Sequence, residues 1–241
     1  MTGDARPRRR HDGRRAAILA LDTATSRIVV AVGSPGGEPL GLSTWTAGYR
    51  HGEQLLPSIG RILGEANIRR SRLRGVIVGT GPGAFTGLRV GLATAKALAH
   101  GLRLPIAGVS TAEALIAAAA AAGRIPGRRI VLLLPAGPAD RVVARLGIPA
   151  RLLPGGADPD LGPTDVLVAI DLDGRAPADA LAAGERARER LGHELLRLGA
   201  ERLTAGADDL AMLVPEYVSL PRGVTAPEPA GGGVEWSRDP R

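Results

Sequence analysis

Apolar positions in this chain follow two periods, and the changes of period mark its elements. Ala16 to Leu21 is an unbroken apolar run that ends in Asp22-Thr-Ala-Thr-Ser26, the pattern of a buried strand stopping in a polar turn. Arg27 to Gly33 resumes with Ile28, Val29, Val30 and Val32, predicting a second strand joined to the first as a hairpin. Ser34-Pro-Gly-Gly predicts a turn, and Pro39 to Thr46 a third strand of mixed polarity. From His51 the spacing becomes helical through Leu55, Leu56, Ile59, Ile62, Leu63 and Ala66. Pro57 falls early in that run, so the helix is expected either to start after His51 or to kink at the proline, which lacks an N–H.

Gly75 to Gly79 predicts a fourth, fully apolar strand that feeds Gly79-Thr-Gly-Pro-Gly-Ala-Phe-Thr-Gly-Leu-Arg-Val-Gly91. A helix follows from about Thr86, with Gly101 as its expected stop. Leu104 to Val109 reads as a fifth strand and Thr111 to Ala122 as a helix capped by Ser110 or Thr111. Further along, Arg129 to Leu134, Arg141 to Leu146 and Asp165 to Ile170 read as strands, and Ala178 to Leu198 as a helix with a broad charged face. Pro215 to Pro221 is expected to close the ordered part. Three strands followed by alternating helix and strand predict an α/β lobe. The expected divisions are a basic tail at residues 1–15, a first lobe at 16–110, a smaller second lobe at 111–222 and a Pro- and Gly-rich tail at 223–241, both tails disordered.

Composition narrows the chemistry. The 241 residues include five aromatics, so the core is aliphatic and stacking platforms for bases are few. Of the formal charge of +7, residues 1–15 hold +4, from six arginines against two aspartates. Any electrostatic nucleic-acid footprint therefore concentrates in that tail. The absence of cysteine excludes disulfides, thiolate nucleophiles and thiolate metal sites. Ala112 to Ala122 is too short to span a bilayer, and a soluble cytoplasmic protein is expected.

Glycines between a strand and a helix invite a phosphate, because they let backbone N–H groups approach an anion. The Walker pattern fails, since no Gly-Lys-Ser/Thr closes the loop and Leu88 follows Gly87. Gly79-x-Gly81-x-x-Ala84 fits the relaxed dinucleotide fingerprint, but the first acidic residue downstream is Glu113, too far on for its ribose partner. Asp22, Thr23 and Thr25, with Gly81 and Gly83, remain candidates for a metal or phosphate contact, or simply satisfy turn amides. His51 with Glu53 suggests acid–base or metal chemistry, but Leu55 stands where a helical zinc pair needs its second histidine, so no metal site is expected.

In the helix itself, Gly87, Gly91 and Ala95 recur every four residues and make a flat strip. Each interior glycine costs about 1 kcal/mol relative to alanine, so close packing must compensate. That packing is either a second protein or this chain's own helix at Leu55 to Leu63. Lys96, the lone lysine, either pairs with an acidic group on such a partner or points into solvent.

Four segments, Ile18-Leu-Ala-Leu-Asp-Thr-Ala-Thr-Ser26, His51-Gly-Glu-Gln-Leu-Leu-Pro57, the stretch Gly79 to Gly91, and Gly108-Val-Ser-Thr111, stand in the order and spacing of the TsaB (YeaZ) family, which the chain resembles over residues 16–115. Pro215-Glu-Tyr-Val matches that family's C-terminal Pro-x-Tyr segment. The resemblance implies an actin-like (ASKHA), RNase H-like fold of two lobes. It also implies a role in making threonylcarbamoyladenosine beside the anticodon of tRNAs, as a non-catalytic subunit. The implied partners are a TsaD catalytic subunit, a TsaE ATPase and, through the complex, tRNA; the lone chain is expected to be able to homodimerise. No cofactor is expected on this chain, with ATP or ADP used at the level of the complex, and no catalytic residue. The family's pairing through two helices from each chain puts the interface on His51, Leu55, Leu56, Ile59, Gly87, Leu88, Gly91, Leu92, Ala95 and Lys96. The strand pair Leu134-Pro-Ala-Gly-Pro-Ala-Asp-Arg-Val-Val143 departs from the family's Asp-Ala-Arg and Glu-Val-Tyr pattern. Nothing in the sequence supports the peptidase chemistry with which the family has been grouped. The rival reading is an independent actin-like ATPase or small-molecule kinase built on Asp22 and the Gly79–Gly83 turn.

Overall fold

In the computed structural model, residues 15–46 and 51–218 are described; the two expected tails lie almost wholly outside them, as do the last residues of the expected closing segment. The first sheet holds β1 (Ala17–Asp22), β2 (Arg27–Gly33), β3 (Pro39–Thr46), β4 (Leu73–Gly79) and β5 (Ile106–Val109) in the order β3-β2-β1-β4-β5. β1, β2 and β3 form an antiparallel meander, while β4 and β5 join parallel to β1. The second sheet holds β6 (Ile130–Pro135), β7 (Arg141–Arg145), β8 (Ile148–Leu153) and β9 (Val166–Ala169) in the order β8-β7-β6-β9. Again a meander ends in a crossover to a strand parallel to the first. The second sheet thus repeats the topology of the first four strands, giving an α/β architecture of two lobes.

Period-two alternation decides which helices cover which face. Leu19, Leu21, Val30 and Val78 pack with Leu55, Ile59, Ile62, Leu92 and Ala95, which belong to α1 (His51–Glu65) and α2 (Phe85–Leu102). Ile18, Ala20, Val29 and Ala31 face the other way, onto α3 (Thr111–Gly123) and α4 (Ala178–Ala205). Ile130, Leu132 and Leu134 of the second sheet join the same cluster, so α3 and α4 lie between the sheets in one continuous core.

Details differ from the sequence reading in physically instructive ways. α1 starts at His51 and carries Pro57 inside it. α2 ends at Leu102, near the expected stop, but the left-handed cap is Arg103 at φ 54° and not Gly101. Ser110, rather than Thr111, caps α3, its hydroxyl accepting from the Glu113 N–H at 3.5 Å. β8 was not expected: it is an edge strand, exposed at most positions and carrying Pro149.

α4 is 28 residues long, about 42 Å at 1.5 Å per residue. Three glycines two turns apart let it lie close to both sheets. A Cβ on Gly184 would stand 1.9 Å from the Ala169 carbonyl oxygen, one on Gly192 2.2 Å from Leu42 Cδ1, and one on Gly199 2.4 Å from Ile77 Cδ1. After α4, residues 206–218 strap across the first sheet. Asp208 N–H donates to the Ile106 carbonyl at 2.9 Å, and Glu216 N–H to the Thr80 carbonyl at 2.7 Å. The strap ends with Tyr217 on Phe85, ring centroids 5.2 Å apart.

The helical glycines give a paired prediction. Gly184→Ala forces a methyl against a backbone carbonyl and is expected to cost on the order of 2 kcal/mol in urea unfolding. Gly64→Ala on α1, where a Cβ meets nothing within 4 Å, is expected to gain about 0.5–1 kcal/mol.

Candidate functional site

The glycine turn after β4 folds back on its own chain. A Cβ on Gly79 would stand 1.8 Å from Asp22 Oδ2, and one on Gly83 2.2 Å from the Ala24 carbonyl oxygen. Gly81 has φ 104°, a conformation that favours glycine. Thr80 N–H donates to the Val109 carbonyl at 2.9 Å, Gly81 N–H to Thr111 Oγ1 at 3.1 Å and Ala84 N–H to the Ala24 carbonyl at 2.7 Å. The Gly81 carbonyl accepts from Thr111 N–H at 2.7 Å. Three of the turn's donors, the Thr80, Gly81 and Ala84 N–H groups, are thus spent on β5, α3 and the turn after β1.

Asp22 is fully buried. Its Oδ2 accepts from Thr111 Oγ1 at 2.6 Å and its Oδ1 from Ala24 N–H at 2.8 Å. Burial pushes its pKa above the ordinary value, and the two hydrogen bonds oppose that rise only in part. Thr23 Oγ1 donates to the Gly87 carbonyl at 2.7 Å, and Thr25 Oγ1 to the Arg27 carbonyl at 3.0 Å. Asp22, Thr23, Thr25, Gly81 and Gly83 are therefore brought together as a structural knot, in which the Asp22 carboxyl, the Thr23 and Thr25 hydroxyls and the Gly81 N–H are each engaged inside the fold.

The glycine strip is engaged in the same way. A Cβ on Gly87 would lie 2.1 Å from the Thr23 carbonyl oxygen and one on Gly91 2.1 Å from Thr23 Oγ1. The strip thus admits the turn after β1, rather than a second protein or α1. Leu88, Leu92 and Ala95 on α2, with Leu55 and Ile59 on α1, are buried in this chain's own core. Of the expected interface residues, Leu56 is 56 % exposed and Lys96 half-buried. The side chain of His51 lies outside the described residues, and Glu53 is exposed. Among the described residues, no group of three or more histidines or carboxylates is placed to hold a metal ion, and no helix is long and apolar enough to cross a membrane.

A different row of small residues has no covering group among the described residues. On α1, Gly60 and Gly64 follow Leu56 at four-residue steps, and a Cβ on either meets nothing within 4 Å. On α2, Ala93, Ala97 and Gly101 are exposed at the same spacing. At the head of this row Arg89 lies 3.9 Å over the Phe85 ring and its Nε donates to the Tyr217 hydroxyl at 3.1 Å. The four-residue spacing of small residues occurs on two sides of α2, and only the fold reveals that Thr23 fills one of them.

Comparison with known proteins bears on what that face is for. A family model described as TsaD, tRNA N6-adenosine threonylcarbamoyltransferase, matches residues 44–147. An uncharacterized protein of Mycobacterium leprae is 38 % identical over 101 residues, 41 % of this chain and 28 % of that protein. The tRNA threonylcarbamoyladenosine biosynthesis protein TsaB of Escherichia coli is 36 % identical over 94 residues, 39 % of this chain and 40 % of that protein. Each of these alignments spans less than half the length of the relative. Over 84 % of this chain and 99 % of the other, the fold matches YeaZ from Pseudomonas aeruginosa with a TM-score of 0.64 at 21 % identity.

The Asp22 knot predicts a pH signature. A carboxyl whose folded pKa is raised holds its proton more tightly when folded. Its stabilising contribution is therefore present at low pH and lost as pH rises from the ordinary carboxylate range through the raised value. Melting temperature against pH should show this loss in the native chain and a flatter profile in Asp22→Asn. Asp22→Ala, which strands the buried Thr111 hydroxyl and Ala24 N–H, should cost about 3 kcal/mol in urea unfolding.

Proposed function

We propose that this chain, which resembles TsaB (YeaZ) proteins in sequence and fold, is the non-catalytic, activating subunit of the complex that places threonylcarbamoyl on the adenosine beside the tRNA anticodon. It acts by pairing with a TsaD-like catalytic subunit. The observation that carries this reading is the identity to TsaB proteins over about two fifths of the chain, beside the exposed row of small residues on α1 and α2.

The mode of pairing follows from that face. Gly60, Gly64, Ala93, Ala97 and Gly101 let a facing helix approach the backbone closely, and Leu56 offers a side chain to bury against it. Lys96, at the margin, is placed to meet a carboxylate on the partner. A TsaE-like ATPase joins the pair, tRNA enters through the complex, and ATP or ADP is handled there. The lone chain homodimerises through the same face, which is released when the catalytic subunit binds. The interface is thus shifted from the Gly87, Gly91 and Ala95 strip to the other side of the same helix. The rival ATPase reading loses support because the groups it needs, Asp22 and the turn at Gly79–Gly83, are engaged inside the fold.

Reconstitution with the same organism's TsaD-like subunit tests the proposal. Transfer of threonylcarbamoyl to tRNA should rise on adding this chain, and an unchanged rate overturns the reading. Ala97→Trp should weaken co-elution with that subunit at least about tenfold while changing the lone chain's stability by no more than about 0.5 kcal/mol. Gly91→Leu, by contrast, should destabilise the lone chain, because its side chain would displace Thr23.

A further inference from the structure

A second polar cluster, separate from the Asp22 knot, joins the two lobes. Asp171, just after β9, reaches the turn after β1. Its Oδ2 accepts from Ser26 N–H at 2.7 Å and its Oδ1 from Ser26 Oγ at 2.5 Å. Arg188 of α4 donates to the same Oδ1 at 2.8 Å and to Ser26 Oγ at 3.2 Å. Glu185, largely exposed, lies 3.2 Å from Arg188 and 3.3 Å from Arg27. Arg188 is 6 % exposed and its Nε is buried without a hydrogen-bond partner, so the guanidinium has more donors than the cluster uses. Asp171 sits in the left-handed region at φ 56°, a conformation aspartate tolerates better than most residues.

A backbone N–H, a hydroxyl and a guanidinium converging on two oxygens form the donor set that binds a phosphate group. We propose that Ser26 and Arg188 form an oxyanion site whose resident ligand is the chain's own Asp171 carboxylate. The second lobe thereby supplies the anion that an external ligand would otherwise bring, and the contact ties the end of β9 to the turn after β1. Removing the carboxylate leaves the buried Arg188 with the largely exposed Glu185 as its remaining ion-pair partner and frees the Ser26 N–H, and an under-compensated buried charge beside free donors recruits an anion from solution. This inference is independent of the proposed partner and stands or falls separately from it.

The test is phosphate binding by the full chain at constant ionic strength, with inorganic phosphate as the probe. Asp171→Gly accepts the left-handed backbone and should bind phosphate at least about tenfold more tightly than the native chain, seen as a saturable rise in melting temperature. Adding Arg188→Met to that variant should abolish the rise. Should Asp171→Gly fail to give a cooperative melt, Asp171→Asn, which keeps the shape and removes the charge, should show the same phosphate-dependent rise. Equal phosphate binding by native and variant chains overturns the proposal, as does a folded variant that ignores phosphate or a response that survives Arg188→Met.

Discussion

A carboxylate cut off from water governs the shape of the first lobe. Taking Asp22 out of solvent is costly, and the fold tolerates it by supplying Thr111 and the Ala24 N–H as donors. Several features follow from that one burial. Position 79 must be glycine, because any side chain would strike the carboxylate. The start of α3 must come to the end of β1 so that Thr111 can reach it. The turn that delivers Ala24 lays Thr23 along α2, and α2 accommodates it with Gly87 and Gly91. Once that side of α2 is committed, Ala93, Ala97 and Gly101 are the side left to the outside. The outward surface of the helix is thus fixed by the turn that a buried carboxyl requires on its inner side.

How much of this could be read from the sequence depended on how far apart the interacting residues lie. The strands from Ala17 to Gly79 were legible because their aliphatic runs are long and bounded by turn residues. α4 was placed but cut short after Leu198, because the glycines and charges of its last turns carry little periodic signal. β8 was missed because an edge strand has only one neighbour and tolerates proline and exposed positions. The direction in which the small-residue strip faced was illegible. Gly87 and Gly91 are 64 and more residues from the Thr23 that fills them, and Ala93 and Ala97 repeat the same spacing one face away. Nothing local connects Ser26 to Asp171, 145 residues on.

The likeness to TsaB sequences covers about two fifths of the chain, yet the likeness of fold extends over most of it. In the second lobe, β6 to β9 repeat the first lobe's path, although no helix covers the crossover from β8 to β9. A divergent sequence can keep this path because the lobe needs mainly aliphatic positions facing α3 and α4, and Ile130, Leu132 and Leu134 supply them.

The placement of α4 has a consequence for what counts as a unit in this protein. Its residues Leu191, Leu195 and Leu196 share one core with Ile18, Ala20, Val29 and Ile77 of the first sheet and with Leu132 of the second. Sequence kinship therefore ends at a point where cooperativity does not. The stretch that matches relatives, taken without α4, would present an uncovered aliphatic sheet face to water. A core shared in this way calls for one cooperative unfolding transition, so the boundary visible to sequence comparison is not a boundary in the packing.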